Sequence, residues 1–292
     1  MYMEFVTFHA WLHPEESGHP NQSLESAEQV QLIRMMTKSV RLWHPNSSMT
    51  LLTNARTASW RLPSHCKQVI NEVMPKDLML ERAIAQERYV LASDMGAPMV
   101  LLDSDILLNG CLDAVFERTF DVALTWRPNH EMPINGGLII LNHERPEVAK
   151  GFFSRYVSVY RRKYAEQARW FGDQLALQDC VGLRAEDMSE YQVVERDGCR
   201  LLLLPCSSYN FSPHNRYRAI CSRLPDKAVL HFKGQRKRLM APFWRAWLHP
   251  AHSYAPWVQY VGWRERCWIA RQAAEERAGL STALHDHIRR PA

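Results

Sequence analysis

Short apolar runs alternate with amphipathic segments along the first hundred residues of the chain. The apolar runs have the length of buried strands and lie at residues 4–11, 49–54, 69–73 and 98–102. Between them, residues 24–43 and 78–95 carry apolar positions at helical spacing, with Ser23 as a possible N-cap and Pro45 beyond the first helix. Strands that alternate with helices predict a wound, mainly parallel sheet.

The same patterning continues through the rest of the chain. Further strands are predicted at residues 120–126, 137–142, 191–194, 201–204 and 228–232. A helix is predicted at 146–168, and another begins near Asp173. We therefore expect an α/β protein with a mixed, mainly parallel sheet flanked by helices over residues 1–238, followed by a C-terminal helical extension over residues 239–292.

An acidic pair interrupts the most apolar of these strands. The run ending at Leu102 is followed by Asp103, Ser104 and Asp105, and apolar residues resume at Ile106. Ligands of open α/β sheets bind at the carboxyl ends of strands, and an extended backbone would place the two carboxylates on one side. The pair predicts a site for Mg²⁺ or Mn²⁺. A solvated turn would explain so short a pattern as well, and that alternative stays open.

Two later segments place small or polar residues where a ligand could reach them. Asn135 and Gly136 precede a strand, where glycine permits a close approach to the backbone. Asp173 and Gln174 stand at a predicted helix start. Because Asp is a favoured N-cap, a capping role alone would explain Asp173.

The last predicted strand ends in a histidine and is followed by basic residues. His231 precedes Lys233, Gly234 and Lys237 within one loop. Imidazole binds borderline metals, and lysine with glycine-rich backbone is typical of phosphate sites. These residues predict a third metal ligand and a phosphate loop, although a lone histidine is more often a packed or surface residue.

The helix before the acidic pair carries two arginines, Arg82 and Arg88. An arginine there could pair with a phosphate or with a carboxylate of the acidic pair. We assign Arg88 to the ligand site. A solvated helix face would explain either arginine almost as well.

The net charge of +5 is concentrated in the tail. Residues 236–292 contain ten Lys and Arg against four Asp and Glu, a balance of +6, which leaves −1 for residues 1–235. Five of the ten tryptophans also lie there. This composition suits an anionic membrane surface. An extension that packs its aromatic residues on the main domain is an equally open alternative, whereas nucleic acid is the weakest of the three and is not expected as a partner.

The sequence also gives expectations about compartment. The start, MYMEFVTFHAW, has no basic region of a signal peptide, and no stretch approaches 18 apolar residues. The seven cysteines form an odd set without C-x-x-C, which predicts neither a zinc site nor a disulfide framework. We expect a cytoplasmic protein, and a peripheral position at the inner face of the membrane stays open as an alternative.

The order of these segments resembles a known family. An apolar strand ending in DSD, then N-G-G before a strand, then D-Q at a helix start and H-x-x-G-x-x-K late in the chain, is similar to nucleotide-sugar glycosyltransferases of the GT-A (Rossmann-like) fold. Within these, the chain resembles glycosyltransferase family 8, the glycogenin and bacterial lipopolysaccharide galactosyltransferase type. The likeness covers residues 4–238, and Arg238-Leu239 stands where the family usually has Pro-Trp.

The resemblance implies a set of roles. Asp103, Asp105 and His231 would bind Mn²⁺ or Mg²⁺, and Gly234 and Lys237 would bind the diphosphate of a donor, expected to be a UDP-hexose. Asp173 and Gln174 would lie beside the anomeric carbon, with Asn135 and Gly136 lining the sugar pocket. The rest of the predicted donor-binding set is Thr7, Phe8, Arg88, Ser104 and Lys233.

The implied activity is transfer of a hexose to a saccharide or lipid-linked acceptor. We expect retention of configuration and a place in cell-surface polysaccharide or lipopolysaccharide synthesis. Two other functions stay open: a catalytically inactive nucleotide-binding relative with the same fold, and a metal-dependent phosphoesterase.

Overall fold

The structure is a computed structural model that describes residues 1–12, 26–58, 60–166, 171–250 and 256–274 except 269, 272 and 273. Its strands are β1 (Glu4–His9), β2 (Ser48–Thr53), β3 (Cys66–Ile70), β4 (Met99–Asp103), β5 (Ile106–Leu108), β6 (Val122–Trp126), β7 (Ile134–Leu141), β8 (Val193–Arg196), β9 (Cys199–Pro205) and β10 (Val229–His231). Its α-helices are α1 (Ser26–Trp43), α2 (Ala55–Ala58), α3 (Leu78–Ala92), α4 (Pro146–Val159), α5 (Gly172–Val181), α6 (Cys206–Tyr209) and α7 (Lys237–Phe243). Residues 256–268 are also helical, and π-helical segments at Tyr160–Tyr164 and Trp244–Leu248 continue α4 and α7.

Eight strands form one mixed sheet in the order β3-β2-β1-β4-β7-β6-β9-β8. Strands β1 to β4 are parallel, as are β6 and β9, whereas β7 and β8 run in the opposite direction. The parallel part follows from the helices that separate its strands, since a parallel pair needs a crossover connection. The predicted α/β class, a mixed and mainly parallel sheet flanked by helices, is confirmed.

Some element bounds differ from those predicted. Strand β3 begins at Cys66, three residues before the predicted start at Val69. Helix α3 ends at Ala92 rather than at Met95, because Ser93 adopts an extended backbone. The predicted N-cap Ser23 and the predicted end of the helix at Ala168 lie outside the described residues.

Side-chain alternation along β4 decides where the acidic pair begins. Val100 and Leu102 belong to the core on the side of α1, while Met99 and Leu101 belong to the core that α3, α4 and α5 cover. Asp103 follows Met99 and Leu101 at intervals of two residues and therefore faces the α3 side. Strand β4 thus directs its terminal carboxylate toward a helix that carries arginine.

Two irregular features bring later residues to the same sheet edge. A small antiparallel pair, β5 with β10, places His231 opposite Ile106. The second feature is a register shift between β6 and β7. The neighbouring residues Leu124 and Thr125 of β6 pair with Ile139 and Asn135, which are four residues apart in β7, and Gly136 and Gly137 lie in between. Such bulges re-aim side chains next to ligand sites.

The predicted domain boundary at residue 238 falls inside α7, Lys237–Phe243. Leu239, Met240, Phe243 and Trp244 are buried in the same core as β5 and β10. The first part of the tail therefore packs on the main sheet, as the packing alternative expects. Along the described residues, no helix combines the length and the apolar character needed to cross a membrane.

Candidate active site

A cavity of about 410 Å³ opens at the carboxyl ends of β1 and β4. The predicted site residues that line it are Phe8, Asp103, Ser104, Asp105, Asn135, Gly136, Asp173, Gln174, His231, Lys233, Gly234 and Lys237. Strand β7 runs in the opposite direction to β4, so its amino-terminal residues meet the same edge. The mixed sheet explains how residues far apart in sequence reach one cavity.

Asp103, Asp105 and His231 lie together at one end of the cavity. Nε2 of His231 is 3.0 Å from Oδ1 of Asp105 and 3.5 Å from Oδ2 of Asp103. One ligand atom from each residue lies within 4.8 Å of the others. Ser104 and Asp105 form a turn rather than an extended strand, so the turn and β10 together place the three ligand atoms.

Charge around Asp105 favours its carboxylate form. Burial alone would raise the pKa of Asp105, but His231 and then Lys237 outweigh burial and hold this pKa below its usual value. Nζ of Lys237 is 3.5 Å from Oδ2 of Asp105. A carboxylate form favoured in this way, next to a histidine, suits a hard or borderline divalent cation.

Arg82 bridges two carboxylates that line the cavity, those of Asp103 and Asp173. Its guanidinium donates to Oδ1 of Asp103 and, at 2.6 Å, to Oδ2 of Asp173. Burial lowers the pKa of Arg82, but the charges of Asp103 and Asp173 outweigh burial and raise it overall. The pKa of Asp173 is nevertheless raised, first by burial, against the opposing charge of Arg82. Arg82 therefore fixes the position of both carboxylates.

Asp173 does not cap helix α5, because Phe171 occupies the N-cap position. Asp173 is 2% exposed, and its Oδ1 has no hydrogen-bond partner among the described residues. Oε1 of Gln174 accepts from Nδ2 of Asn135 at 3.2 Å and from Arg127 at 3.4 Å. Both members of the D-Q pair thus line the cavity, and the unpaired oxygen of Asp173 is suited to a ligand hydroxyl.

Basic residues collect around the loop after β10. Lys233, Gly234, Arg236 and Lys237 line the cavity together with Arg127. Burial, followed by the charge of Arg127, lowers the pKa of Lys233. Gly234 has φ +54, a backbone conformation that favours glycine. This concentration of cations suits an anionic group such as a diphosphate.

A mainly uncharged wall lies beside β1. Phe8, His9, Gln29 and Leu32 line it. Nε2 of His9 donates to Oε1 of Gln29 at 2.8 Å, and Nδ1 lies 3.2 Å from the hydroxyl of Ser104. Burial lowers the pKa of His9 to about 4, so this ring is neutral at pH 7. The hydrogen bonds from Gln29 through His9 to Ser104 connect this wall to the acidic turn.

The structure does not bring Thr7 or Arg88 to the cavity. Thr7 is fully buried, and its hydroxyl donates to the backbone oxygen of Leu102 at 2.8 Å. Arg88 is exposed on α3, and Arg82 has the contacts with the carboxylates instead. Arg82 shares the buried stripe of α3 with Gln86 and Val90, so helical spacing was the signal that could have selected it.

Two further residues contact His231 from segments distant in sequence. Asn210 lies just after α6 and reaches His231 at 2.7 Å. Gly137 touches the same histidine, because a Cβ on Gly137 would lie 2.6 Å from the ring. The N-G-G motif includes Gly137, whereas nothing in the local pattern distinguishes Asn210 from an ordinary loop residue. Their position depends on the pairing of β7 with β6 and of β10 with β5.

A second group of potential ligands lies elsewhere in the described residues, at His44, Cys111 and Asp113. Nε2 of His44 accepts the backbone N–H of Leu112 at 3.2 Å. Neutral His44 therefore carries its hydrogen on Nδ1, the nitrogen that faces Asp113 at 3.9 Å. The nitrogen of His44 that faces Asp113 therefore has no lone pair with which to bind a metal.

The fold and the cavity define an α/β protein with a candidate ligand site at the carboxyl edge of its sheet. No family model matches the chain, and no curated protein sequence matches it. Solved structures do. The glycosyltransferase GlyE of Streptococcus pneumoniae TIGR4 matches with a TM-score of 0.51 and 14% identity over 92% of this chain and 63% of GlyE.

Two further glycosyltransferases match less closely in shape. The galactosyltransferase LgtC, solved with donor and acceptor sugar analogues, has a TM-score of 0.45 and 13% identity over 89% of this chain and 95% of LgtC. Mouse xyloside xylosyltransferase 1 has a TM-score of 0.46 and 11% identity over 80% of this chain and 98% of that protein. This chain spans less than two thirds of the length of GlyE. The match to GlyE shows that the chain has a glycosyltransferase fold of the GT-A type.

Proposed function

We propose that the protein is a metal-dependent glycosyltransferase. It transfers a hexose from a nucleotide sugar, expected to be a UDP-hexose, to a saccharide or lipid-linked acceptor in cell-surface polysaccharide or lipopolysaccharide synthesis. One observation carries this proposal. Asp103, Asp105 and His231 share a cavity with a basic loop on one side and with Asp173 and Gln174 on the other.

The residues present fit a divalent cation. Two carboxylate oxygens and one imidazole nitrogen suit Mn²⁺ or Mg²⁺, and the remaining ligand positions would be left for the diphosphate of the donor. When bound, the cation would act as a Lewis acid that stabilises the charge developing on the leaving diphosphate.

The basic residues that follow β10, from Lys233 to Lys237 at the start of α7, would also stabilise the leaving diphosphate. Lys237 lies 3.5 Å from Asp105, close enough to contact a phosphate held at the acidic turn. Lys233 and the backbone of Gly234 extend this positive region along the cavity. These groups would stabilise the leaving diphosphate as its charge grows.

The opposite wall would position the sugar. Asp173 and Gln174 supply a carboxylate oxygen and an amide to sugar hydroxyls, and Asn135 holds Gln174 in place. A Cβ on Gly136 would lie 3.1 Å from Oδ2 of Asp173. Glycine at this position therefore leaves space beside Asp173, where the anomeric carbon of the donor sugar would lie. Retention of configuration is proposed on the family resemblance.

Thermal unfolding with Mn²⁺ and a panel of nucleotides tests the donor site. We expect UDP with Mn²⁺ to raise the melting temperature of the full chain and Asp105→Ala to abolish that rise. Glu117→Ala is the control, since Glu117 is an exposed carboxylate outside the cavity and outside both groups of potential metal ligands. If no nucleotide shifts the melting temperature with Mn²⁺, the donor site is refuted.

Product analysis separates transfer from the other functions. Incubation with nucleotide sugars, Mn²⁺ and a panel of saccharide acceptors should release nucleoside diphosphate and yield a glycosylated acceptor. Nucleotide binding without release would identify an inactive relative. Release of phosphate from simple phosphoesters would identify a phosphoesterase.

We also propose that the helix at residues 256–268 binds an anionic membrane surface. Its inner side packs on the protein through Val258 and Gly262, while Trp257, Trp263 and Trp268 are 47%, 54% and 55% exposed. A carboxylate oxygen of Glu265 accepts the backbone N–H of Arg218, so this acidic residue faces the protein. The solvent side is left aromatic and basic, which suits the headgroup region of anionic lipids.

A further inference from the structure

Asn210 is a buried polar residue with no assigned role in the proposed reaction. It is 3% exposed and lies between His231, Asn135 and Thr125. Its Oδ1 is 2.7 Å from Nδ1 of His231, and its Nδ2 is 2.8 Å from both Oδ1 of Asn135 and Oγ1 of Thr125. Both amide hydrogens and the carbonyl oxygen are therefore engaged.

A backbone group fixes the orientation of this amide. The N–H of Gly137 donates to Oδ1 of Asn135 at 3.0 Å, and a backbone N–H cannot exchange roles with an acceptor. Because Oδ1 of Asn135 accepts, the atom of Asn210 that faces it must be the donor Nδ2. The carbonyl oxygen of Asn210 then faces His231. Reversing the amide would place two oxygens against each other.

This orientation decides which nitrogen of His231 carries the hydrogen. A carbonyl oxygen can only accept, so Nδ1 of His231 donates to Asn210. The lone pair of the neutral ring then lies on Nε2, which faces Asp105 at 3.0 Å and Asp103 at 3.5 Å. Three acceptor atoms at such distances repel one another unless a proton or a metal cation lies between them, and a divalent cation would bind in place of that proton.

We propose that Asn210 is a positioning residue that selects the Nδ1–H tautomer of His231 and so prepares Nε2 to bind the divalent cation. Histidine ligands usually have their second nitrogen held by a carbonyl or carboxylate in this way. The inference rests on the proposed metal site and adds the group that orients its nitrogen ligand. Asn210 also connects His231, through Asn135, to Gln174, which we propose to lie beside the sugar.

Mn²⁺ titration of the full chain, followed by calorimetry or by the electron paramagnetic resonance signal of unbound Mn²⁺, tests the proposal. Asn210→Leu removes the acceptor and should weaken Mn²⁺ binding by about 10- to 100-fold. Asn210→Asp keeps an acceptor for Nδ1–H and should bind Mn²⁺ much more tightly than Asn210→Leu does. Both variants lose the donors to Asn135 and Thr125, so both should unfold at lower temperature. If the role of Asn210 were purely structural, the Mn²⁺ affinity of each variant would fall only as far as its stability falls, and the acceptor kept in Asn210→Asp would make no difference.

Asn142→Leu is the matched control. Asn142 is also buried, at 4% exposed, and its Nδ2 donates to the backbone oxygen of Phe120 at 3.0 Å, away from the cavity. We expect this variant to lose stability while it keeps the Mn²⁺ affinity of the unsubstituted chain.

A second readout needs no metal. Two-bond ¹H–¹⁵N spectra of histidine-labelled protein at about pH 9, well above the usual histidine pKa of about 6.5, report which ring nitrogen is protonated. His231 is assigned by the signal that His231→Gln removes. We expect the Nδ1–H form in the unsubstituted chain and a mixture of tautomers in Asn210→Leu.

The outcomes distinguish this inference from the proposal on which it rests. A folded Asn210→Leu variant with unchanged Mn²⁺ affinity, or an Nε2–H signal in the unsubstituted chain, would overturn the role of Asn210 and leave the metal site standing. Failure of the unsubstituted chain to bind Mn²⁺ would overturn the metal site, and the inference with it.

Discussion

Arg82 is the residue on which the geometry of the cavity most depends. It is 7% exposed and pairs with Asp103 on β4 and with Asp173 on α5. A buried charge pair is not by itself a large source of stability, but removal of one partner leaves an uncompensated charge. The buried Asp173 and the partly buried Asp103 would then lie near each other without their shared cation.

Substitution of Arg82 should therefore be costly. We expect Arg82→Leu to lower the free energy of unfolding by about 3–5 kcal/mol, measured by urea denaturation at pH 7. Arg88→Leu, on the exposed side of the same helix, should change it by no more than about 0.5 kcal/mol. Equal effects of the two substitutions would show that the buried pairing does not matter.

The contrast between Arg82 and Arg88 also shows what the sequence could predict at this scale. Motif order and residue chemistry were sufficient to propose Asp103, Asp105 and His231, and these three residues do lie together. The choice between the two arginines depended on which face of α3 is buried, and the helical spacing of Arg82 with Gln86 and Val90 indicates the face that carries Arg82. Asn210 could not be predicted, because its contacts come from strands distant in sequence.

At the scale of elements, Asp121 connects the start of β6 to β9 and to the N-cap of α4, at the edge of the sheet away from the cavity. Its buried carboxylate accepts from Arg145, at the N-cap of α4, and from both the backbone and the side chain of Arg200 in β9. Burial alone would raise the pKa of Asp121, but the hydrogen bonds from Arg200 and Arg145 outweigh burial and lower it to about 2. The carboxylate form is therefore stabilised in the folded state.

This pKa predicts a defined loss of stability in acid. The unfolded pKa of aspartate is about 3.9, so the pairing of Asp121 contributes fully above about pH 4 and is lost as the pH falls toward about 2. We expect Asp121→Asn to remove roughly 2 kcal/mol of unfolding free energy at pH 7 and progressively less below pH 4.

Urea denaturation at several pH values measures this difference. Glu117→Gln, an exposed carboxylate nearby in sequence, serves as the control and should leave the acid dependence unchanged. A constant difference between Asp121→Asn and the unsubstituted chain from pH 7 to pH 2 would contradict the explanation.

Element positions were more predictable than element partners. Apolar runs and helical spacing identified the strands and helices of the parallel half within a few residues, as β4 and α3 illustrate. The reversed direction of β7 and its register shift at Gly136 and Gly137 depend on pairing between strands. Local sequence carries little information on such pairing, and the side of the cavity that Asn135 and Gly136 line depends on it.

At the scale of the whole molecule, the basic, tryptophan-rich tail of the sequence divides into two structural parts. Trp244 is 6% exposed, and Nε1 of Trp247 donates to the backbone oxygen of Ile220, so both belong to the folded body. Trp263 and Trp268 are exposed on the helix at 256–268, beside Arg264 and Arg266. Packing thus explains the first tryptophans of the tail, and the later ones form the surface proposed to bind membrane.

Truncation is a poor test of that surface. A chain ending at Lys237 would lose Leu239, Met240 and Phe243 from the core, and the resulting cavities would destabilise the fold. Paired substitution of Trp263→Ser and Trp268→Ser keeps the core intact. Ile70→Ser with Met74→Ser removes two similarly exposed apolar residues, 62% and 67% exposed, from another surface and serves as the control.

Sedimentation with vesicles then decides whether the surface binds membrane. We expect the unsubstituted chain to bind vesicles containing anionic lipid and to dissociate at high salt, because basic residues near an anionic surface each contribute about 1 kcal/mol through a screened interaction. The tryptophan pair should weaken binding about tenfold, since roughly 1.4 kcal/mol of lost aromatic insertion corresponds to that factor. The control pair should bind as the unsubstituted chain does. Equal binding by both pairs, or equal binding to neutral vesicles, would mean that this aromatic and basic surface has another partner.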